Sequence, residues 1–380
     1  MNKKPVITSV QLVLMTVGSA LVFPYTFMPI LNTPPANQDV WVVLLLALVY
    51  IVLLNAPLLF LMNKFRGMTV PETSEAVLGK FLGKAILIPF VLFFLYCYCA
   101  CMMIVVKFVQ TYILGETPTW ALALIMIIPA GYAAYKGAGT IGRLSVFFIS
   151  FSILTIIFFF VIGIKAMDIR ELKPVLADST FLEINKGAFL TAARFSEIFI
   201  FWIFSFYLSK KASINKSYAA ALIIYVASFL MMLLPIILVL GAEFAKKLQS
   251  PYYTYARQAE VFTFLERVQA INSLARFPGA LLKLALYNFM ASSFFSSIVK
   301  AKSHKYFVFA VSAIGLIVCF LPIMNQAGTI ETLRSDQVFP WVTLPVIVVL
   351  PAIIVAVYIL RRRKVNKKIL EAQEKNCSEA

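Results

Sequence analysis

The feature that most constrains this chain is its run of apolar blocks about 20 residues long, separated by short polar breaks. Twenty residues of helix rise about 30 Å, the thickness of a bilayer's hydrocarbon core. Hydrophobic residues make up 61% of the 380 and charged residues only 13%, against about 25% charged in an ordinary globular domain. A water-soluble fold of this length has too little interior to hide that much apolar surface, so lipid is the solvent. Each span must then satisfy its own backbone hydrogen bonds, which makes it helical.

Ten segments read as spanning helices, roughly 7–30, 40–62, 85–110, 117–135, 144–164, 187–208, 217–241, 277–299, 306–324 and 339–360. The gap at 242–276 is read as one long loop, with a short amphipathic helix expected over 259–268. The first block is too long for the h-region of a cleavable signal peptide, so a retained span is expected. A formal charge of +17 raises the question of nucleic acid. The placement of the charge argues against it. Roughly twice as many Lys and Arg fall at the N-terminus, in 63–84, 136–143, 209–216 and 300–305, and in the tail after 360 as in the alternate loops. The basic side is expected to be cytoplasmic, with both termini on it. The tail Arg361-Arg362-Arg363-Lys364 would sit at anionic headgroups.

Ten spans divide as five plus five, and an odd-numbered repeat inserts its second copy upside down. The expected fold is therefore an all-α membrane protein with an inverted repeat: repeat one over about 7–165, repeat two over about 187–360, and a basic tail at 361–380, within a single transporter-like domain 1–380. Such folds bind substrates where helices are interrupted near the midplane. Helix 1 carries a candidate interruption at Gly18-Ser19-Ala20-Leu21-Val22-Phe23-Pro24; the alternative is a kinked helix whose small residues allow close packing. In helix 6, Arg194-Phe195-Ser196-Glu197 brings two ionisable groups to mid-span, where charge is expensive and marks function by default. Arg194 and Glu197 share a helix face and can pair, so they read either as a structural ion pair or as a polar pocket wall. Lys283, in helix 8, can bind a carboxylate or pair with Glu197, and Tyr287 lies one turn away. Ser292, Ser293, Ser296 and Ser297 could complete a sodium site beside helix 1, although small packing residues are commoner in such positions. Helix 3 offers Tyr96, Cys97 and Cys101, either closing over a small ligand or packing within a bundle that holds 34 Phe. His304, the single histidine, reads as a surface residue. The cysteines have no metal-ligand spacing, and neither a nucleophile motif nor a catalytic cluster appears. No enzyme, metal or cofactor chemistry is expected.

Several local patterns resemble one family. The chain opens Ile7-Thr8-Ser9-Val10-Gln11-Leu12 ahead of the helix 1 glycine. Its first basic loop reads Thr73-Ser74-Glu75-Ala76-Val77-Leu78-Gly79-Lys80-Phe81-Leu82-Gly83-Lys84. The turn into helix 5 reads Gly137-Ala138-Gly139-Thr140-Ile141-Gly142-Arg143-Leu144-Ser145, and Phe264-Leu265-Glu266-Arg267 closes the long loop. In order and spacing these resemble the B subunit of spore germinant receptors, within the amino acid–polyamine–organocation transporter superfamily, over roughly residues 5–360. The resemblance implies helices 1 and 6 broken at the centre, with Gly18 at the helix 1 break and Ser196-Glu197 at that of helix 6. Helix 6 departs from the pattern, because Ser196 stands where a glycine is common and no Gly or Pro lies between Gly187 and Leu208. The resemblance also implies a small-molecule germinant, usually an amino acid, sensed in a spore's inner membrane beside an A subunit and a lipoprotein C subunit. A proton- or sodium-coupled amino acid transporter is the alternative.

Overall fold

The computed structural model describes residues 7–195, 197–209, 212–262, 269–321, 338–363 and 365–366, and the side chains of all of these except 259–262 and 269–270. Among the described residues, nine helices are long and apolar enough to cross a membrane, and a tenth apolar helix has 16 residues. In chain order the helices are α1 (Ser9–Thr26), α2 (Val40–Lys64), α3 (Val70–Leu78), α4 (Lys80–Ala85), α5 (Leu87–Tyr112), α6 (Thr119–Lys136), α7 (Ala138–Gly163), α8 (Phe181–Ala193), α9 (Ile198–Phe204), α10 (Ile214–Leu240), α11 (Ala242–Ala245), α12 (Pro251–Phe262), α13 (Gln269–Ile298), α14 (Lys305–Phe320) and α15 (Phe339–Leu360).

Local sequence explains where most of these helices start. Thr8 with Gln11, Thr69 with Glu72 and Thr180 with Glu183 form reciprocal capping boxes at α1, α3 and α8, each satisfying two otherwise orphaned backbone donors. Gly137, at φ +92°, turns the chain from α6 into α7, a backbone conformation that costs glycine little. The outward faces are apolar. Leu45, Val49, Leu53 and Phe60 on α2, and Phe147, Leu154 and Val161 on α7, are exposed, as expected where lipid covers the protein.

The packing has the reciprocity of an inverted repeat. α2 packs on α8, and its counterpart α10 packs on α1. α5 and α13, the third spans of the two halves, pack on each other. α13 also packs on α6 as α5 does on α14. α1 is buried along nearly its whole length among α7, α10 and α13.

Two expectations shift in position. Helix 1 is continuous through Gly18 and Pro24. Its interruption comes at Phe27–Met28, where Met28 adopts a left-handed conformation before a 3-10 turn, Pro29–Asn32. A Cβ on Gly18 would fall 2.3 Å from Cδ1 of Ile149 in α7, so Gly18 permits close helix contact, the packing alternative, and does not open the backbone. Helix 6 is interrupted as expected, between α8 and α9, without a glycine or proline. The eighth span begins eight residues earlier than expected, at Gln269, which draws Arg276 out of the long loop and into a helix. That loop also holds α12, earlier than the amphipathic segment expected at 259–268, part of which lies outside the described residues.

Candidate functional site

The site is built at the break between α8 and α9. Lys283 projects from α13 into this gap and is 1% exposed; Glu197, just ahead of α9, is 3% exposed. Lys283 Nζ lies 3.0 Å from Glu197 Oε1 and donates to the backbone carbonyl of Ser19, also at 3.0 Å. The Ser19 hydroxyl donates to the same Glu197 oxygen at 3.4 Å. The ammonium lies 3.8 Å from the centre of the Phe23 ring and 5.7 Å from that of Tyr287. A buried charge needs a counter-charge and hydrogen bonds, and here one ammonium receives a carboxylate, a carbonyl and an aromatic face. The result is a polar knot tying three spans together: α1, the interrupted helix 6 and α13.

This knot explains why helix 6 breaks without the residues that usually break a helix. Glu197 is held toward α13 and α1, whereas Arg194 donates through Nη1 to the Thr33 hydroxyl, 2.9 Å away in the segment after α1. The two charges have partners on different elements, and a regular helical turn would fix them three residues apart on one face. Lys283, one of the two partners open to Glu197 in the sequence, is paired with it.

A cavity of about 40 Å³ adjoins the knot. Ala20, Phe23, Arg194, Glu197, Tyr225 and Phe229 are among its lining residues. A neighbouring cavity of about 30 Å³ shares Phe23 and Arg194 and extends to Phe27, Ala100 and Phe339. Binding pockets for small molecules usually measure about 300–1,000 Å³, so the site is closed in this conformation.

The structure brings most of the sequence-expected residues together. Ser19, Glu197, Lys283 and Tyr287 form the knot. Ala20 and Arg194 line the cavity. Cys97 and Cys101 are buried on α5 within the field of the same charges. Tyr96 stands apart from the cavity lining, its ring 6.2 Å from that of Phe339. Gly18 faces Ile149 and Leu282. Ser196 lies outside the described residues. Phe23 entered the sequence reading only as part of the helix 1 motif and not as a site residue, although its spacing of four from Ser19 puts it on the same helical face. Tyr225 and Phe229 gave no signal beyond their aromatic character.

The serines of α13 are engaged elsewhere. Ser292 donates to Asn288, Ser296 to the Ala301 carbonyl and Ser297 to the Ser293 carbonyl. Ser293, Ser296 and Ser297 line a cleft of about 290 Å³ at the basic face together with Thr69, Lys302 and His304, a setting that repels cations. His304 itself is half-buried rather than at the surface. Its Nε2 lies 3.3 Å from the Ala134 carbonyl and its ring packs edge-on against Phe289.

Comparison with known proteins agrees with this architecture. A family model described as spore germination protein matches residues 6–327. Spore germination protein YndE of Bacillus subtilis (strain 168) is 27% identical over 208 residues, 54% of this chain and 56% of that protein. The chain thus spans little more than half the length of that curated relative. Among solved structures the fold is similar to MhsT in complex with L-phenylalanine, with a TM-score of 0.58 and 13% identity over 94% of this chain and 99% of that one. It is also similar to a substrate-bound, outward-open Na+-coupled sialic acid symporter, with a TM-score of 0.57 and 13% identity over 88% and 78% of the two chains. At such identities the likeness is one of fold.

Proposed function

Because this chain belongs to the spore germination protein family and has a transporter fold, we propose that it is the germinant-binding membrane subunit of a spore germination receptor. Its ligand is a small neutral amino acid, bound between α1 and the break in helix 6. The observation that carries the reading is the buried Lys283–Glu197 pair anchored on the Ser19 carbonyl, beside a cavity whose wall holds both Arg194 and Glu197. Opposite charges on a wall otherwise mostly apolar suit the two ends of a zwitterion. The ligand's ammonium competes with Lys283 for Glu197, loosens the hold on Ser19 and favours a conformation with α1 and helix 6 further apart. Differential affinity for that open state is the whole driving force. The change passes to partner A and C subunits in the spore inner membrane, with both termini on the cytoplasmic side and the basic tail 361–380 at its headgroups.

The second reading is an amino acid transporter coupled to protons through Glu197. Sodium coupling at this site is disfavoured, because the tethered ammonium of Lys283 already occupies the carboxylate and helix 1 carbonyl that a metal ion would need.

Purified chain in proteoliposomes, given radiolabelled neutral amino acids, separates the two. Saturable binding without accumulation, lost in Glu197→Gln, supports the sensor. Accumulation driven by a proton gradient makes the chain a transporter. Neither binding nor uptake across the panel, with the partner subunits present as well as absent, would remove the pocket from ligand recognition.

A further inference from the structure

Two turns along α13 from Lys283, on the side away from the basic face, lies a second buried cation for which the site above has no use. Arg276 is 2% exposed and Asn272, one turn before it on the same face, is 0% exposed. Neither finds a hydrogen-bond partner among the described residues: Nε, Nη1 and Nη2 of Arg276 are all unsatisfied, as are both amide atoms of Asn272. No carboxylate pairs with the guanidinium among the described residues. Aromatic rings surround it. The guanidinium stacks on Phe108 of α5, 3.6 Å from the ring centre, with Tyr253 of α12 at 6.0 Å. Tyr25 of α1 and Tyr252 of α12 meet edge to face at 5.3 Å beside it. Tyr252 is 1% exposed and its hydroxyl is also unsatisfied. The Tyr25 hydroxyl donates to the Ser152 carbonyl, and Ser152 in turn donates to that of Ala275, which holds this turn of α13 against α7.

Arginine stays charged in proteins. Stacking on Phe108 stabilises the face of the guanidinium but leaves the five N–H donors at its rim without an acceptor. Buried charges are paired in native proteins because the desolvation cost is otherwise uncompensated. The unsatisfied atoms of an arginine fork, an amide and a phenol beside these rings are mostly donors, with Asn272 Oδ1 the one amide acceptor among them.

We propose that Arg276, Asn272 and Tyr252 form a binding site for a small monovalent anion, a halide or a carboxylate, enclosed beneath α12 and distinct from the Lys283–Glu197 site. The bound anion neutralises Arg276 and ties α12 to α1, α5 and α13.

The test is thermal unfolding of the full chain in lipid nanodiscs at constant pH and ionic strength. Chloride or acetate is titrated against lactobionate, an anion too bulky for the cage. The Tm should rise saturably with at least one of the small anions. The rise should be abolished in Arg276→Met and weakened in Asn272→Ala. Stabilisation by chloride alone assigns an inorganic ion, stabilisation by acetate alone assigns the carboxylate of an organic ligand, and equal effects assign a site for either. Arg276→Lys, which keeps the charge, should retain a weaker saturable response and serves as the second variant if Arg276→Met does not fold. A wild-type Tm independent of the anion overturns the proposal. So does a response that survives in Arg276→Met, or an Arg276→Met that is destabilised equally in every salt, because Arg276 would then have its counter-charge within the chain.

Discussion

Breaking the Lys283–Glu197 pair should unlock the centre of the bundle. The charges are 3.0 Å apart with side chains only 1% and 4% exposed, so solvent screening is slight. At an effective dielectric of about 20 their Coulomb attraction is about 5–6 kcal/mol. Much of this offsets the cost of burying the two charges, so the quantity to measure is the loss when one partner is removed. Lys283→Met leaves the Glu197 carboxylate with the Ser19 hydroxyl, a long hydrogen bond of 3.4 Å. Glu197→Gln leaves the ammonium with the Ser19 carbonyl and the Phe23 ring. Each single variant should lose about 3–5 kcal/mol, the usual range for a broken buried pair. The double variant Lys283→Met/Glu197→Gln holds no uncompensated charge at this point and should recover most of that loss. Reversible unfolding in mixed micelles, with the four proteins arranged as a double-mutant cycle, should give a coupling energy of several kcal/mol. The double variant should nonetheless fail to bind ligand, which would separate the pair's contribution to stability from its role in recognition. Single variants each costing under about 1 kcal/mol, or additive losses in the double variant, would refute the pairing.

Other perturbations test the supports of the site. A Cβ at Gly187 would fall 1.9 Å from the Pro34 carbonyl oxygen, a backbone atom that cannot rotate away. Gly187→Ala should therefore destabilise the chain by about 3 kcal/mol or more, the upper end of overpacking costs, read as a drop in Tm. Asp39 is fully buried and accepts from the Leu176 amide and the Ser179 hydroxyl. Asp39→Ala should cost about 1–3 kcal/mol through the stranded donors and should speed protease cleavage between 165 and 180; an unchanged cleavage rate would count against that tether. Burial holds the His304 imidazole below its ordinary pKa, outweighing the Ala134 carbonyl, which acts the other way; Lys305 adds to the lowering. The unfolded chain therefore takes up the proton more readily than the folded one. The resulting stability is present above pH about 6.5 and is lost as pH falls below it. Wild type should lose Tm from pH 8 to pH 5 relative to His304→Gln, and parallel pH profiles would refute this.

The interrupted helix 6 shows how a feature can be present in a sequence yet hard to read. Arg194 and Glu197 stood out because charge in a membrane span is rare. Nothing local pointed to an unwound turn, since no Gly or Pro lies there. The break comes from partners more than 80 residues away in sequence, Lys283 for one charge and Thr33 for the other. Gly18 failed in the opposite direction. A glycine beside a serine and ahead of a proline fits an opening as well as it fits a close contact, and only the position of Ile149 separates the two. Arg276 was counted with a loop because hydropathy treats arginine as a sign of water. Phe108, Tyr253, Tyr25 and Tyr252 come from three other helices, and none of them is visible along α13 alone.

By itself, the sequence determined the solvent, the helical class, the approximate positions of the spans and the two-halved plan. These follow from the thickness of a bilayer and the need of each span to satisfy its own backbone. Tertiary structure alone decided which charge meets which, where helices 1 and 6 give way and which arginine is hidden. Those outcomes depend on contacts between distant segments, and inside a low-dielectric bundle a contact of 3 Å outweighs any local preference of the chain.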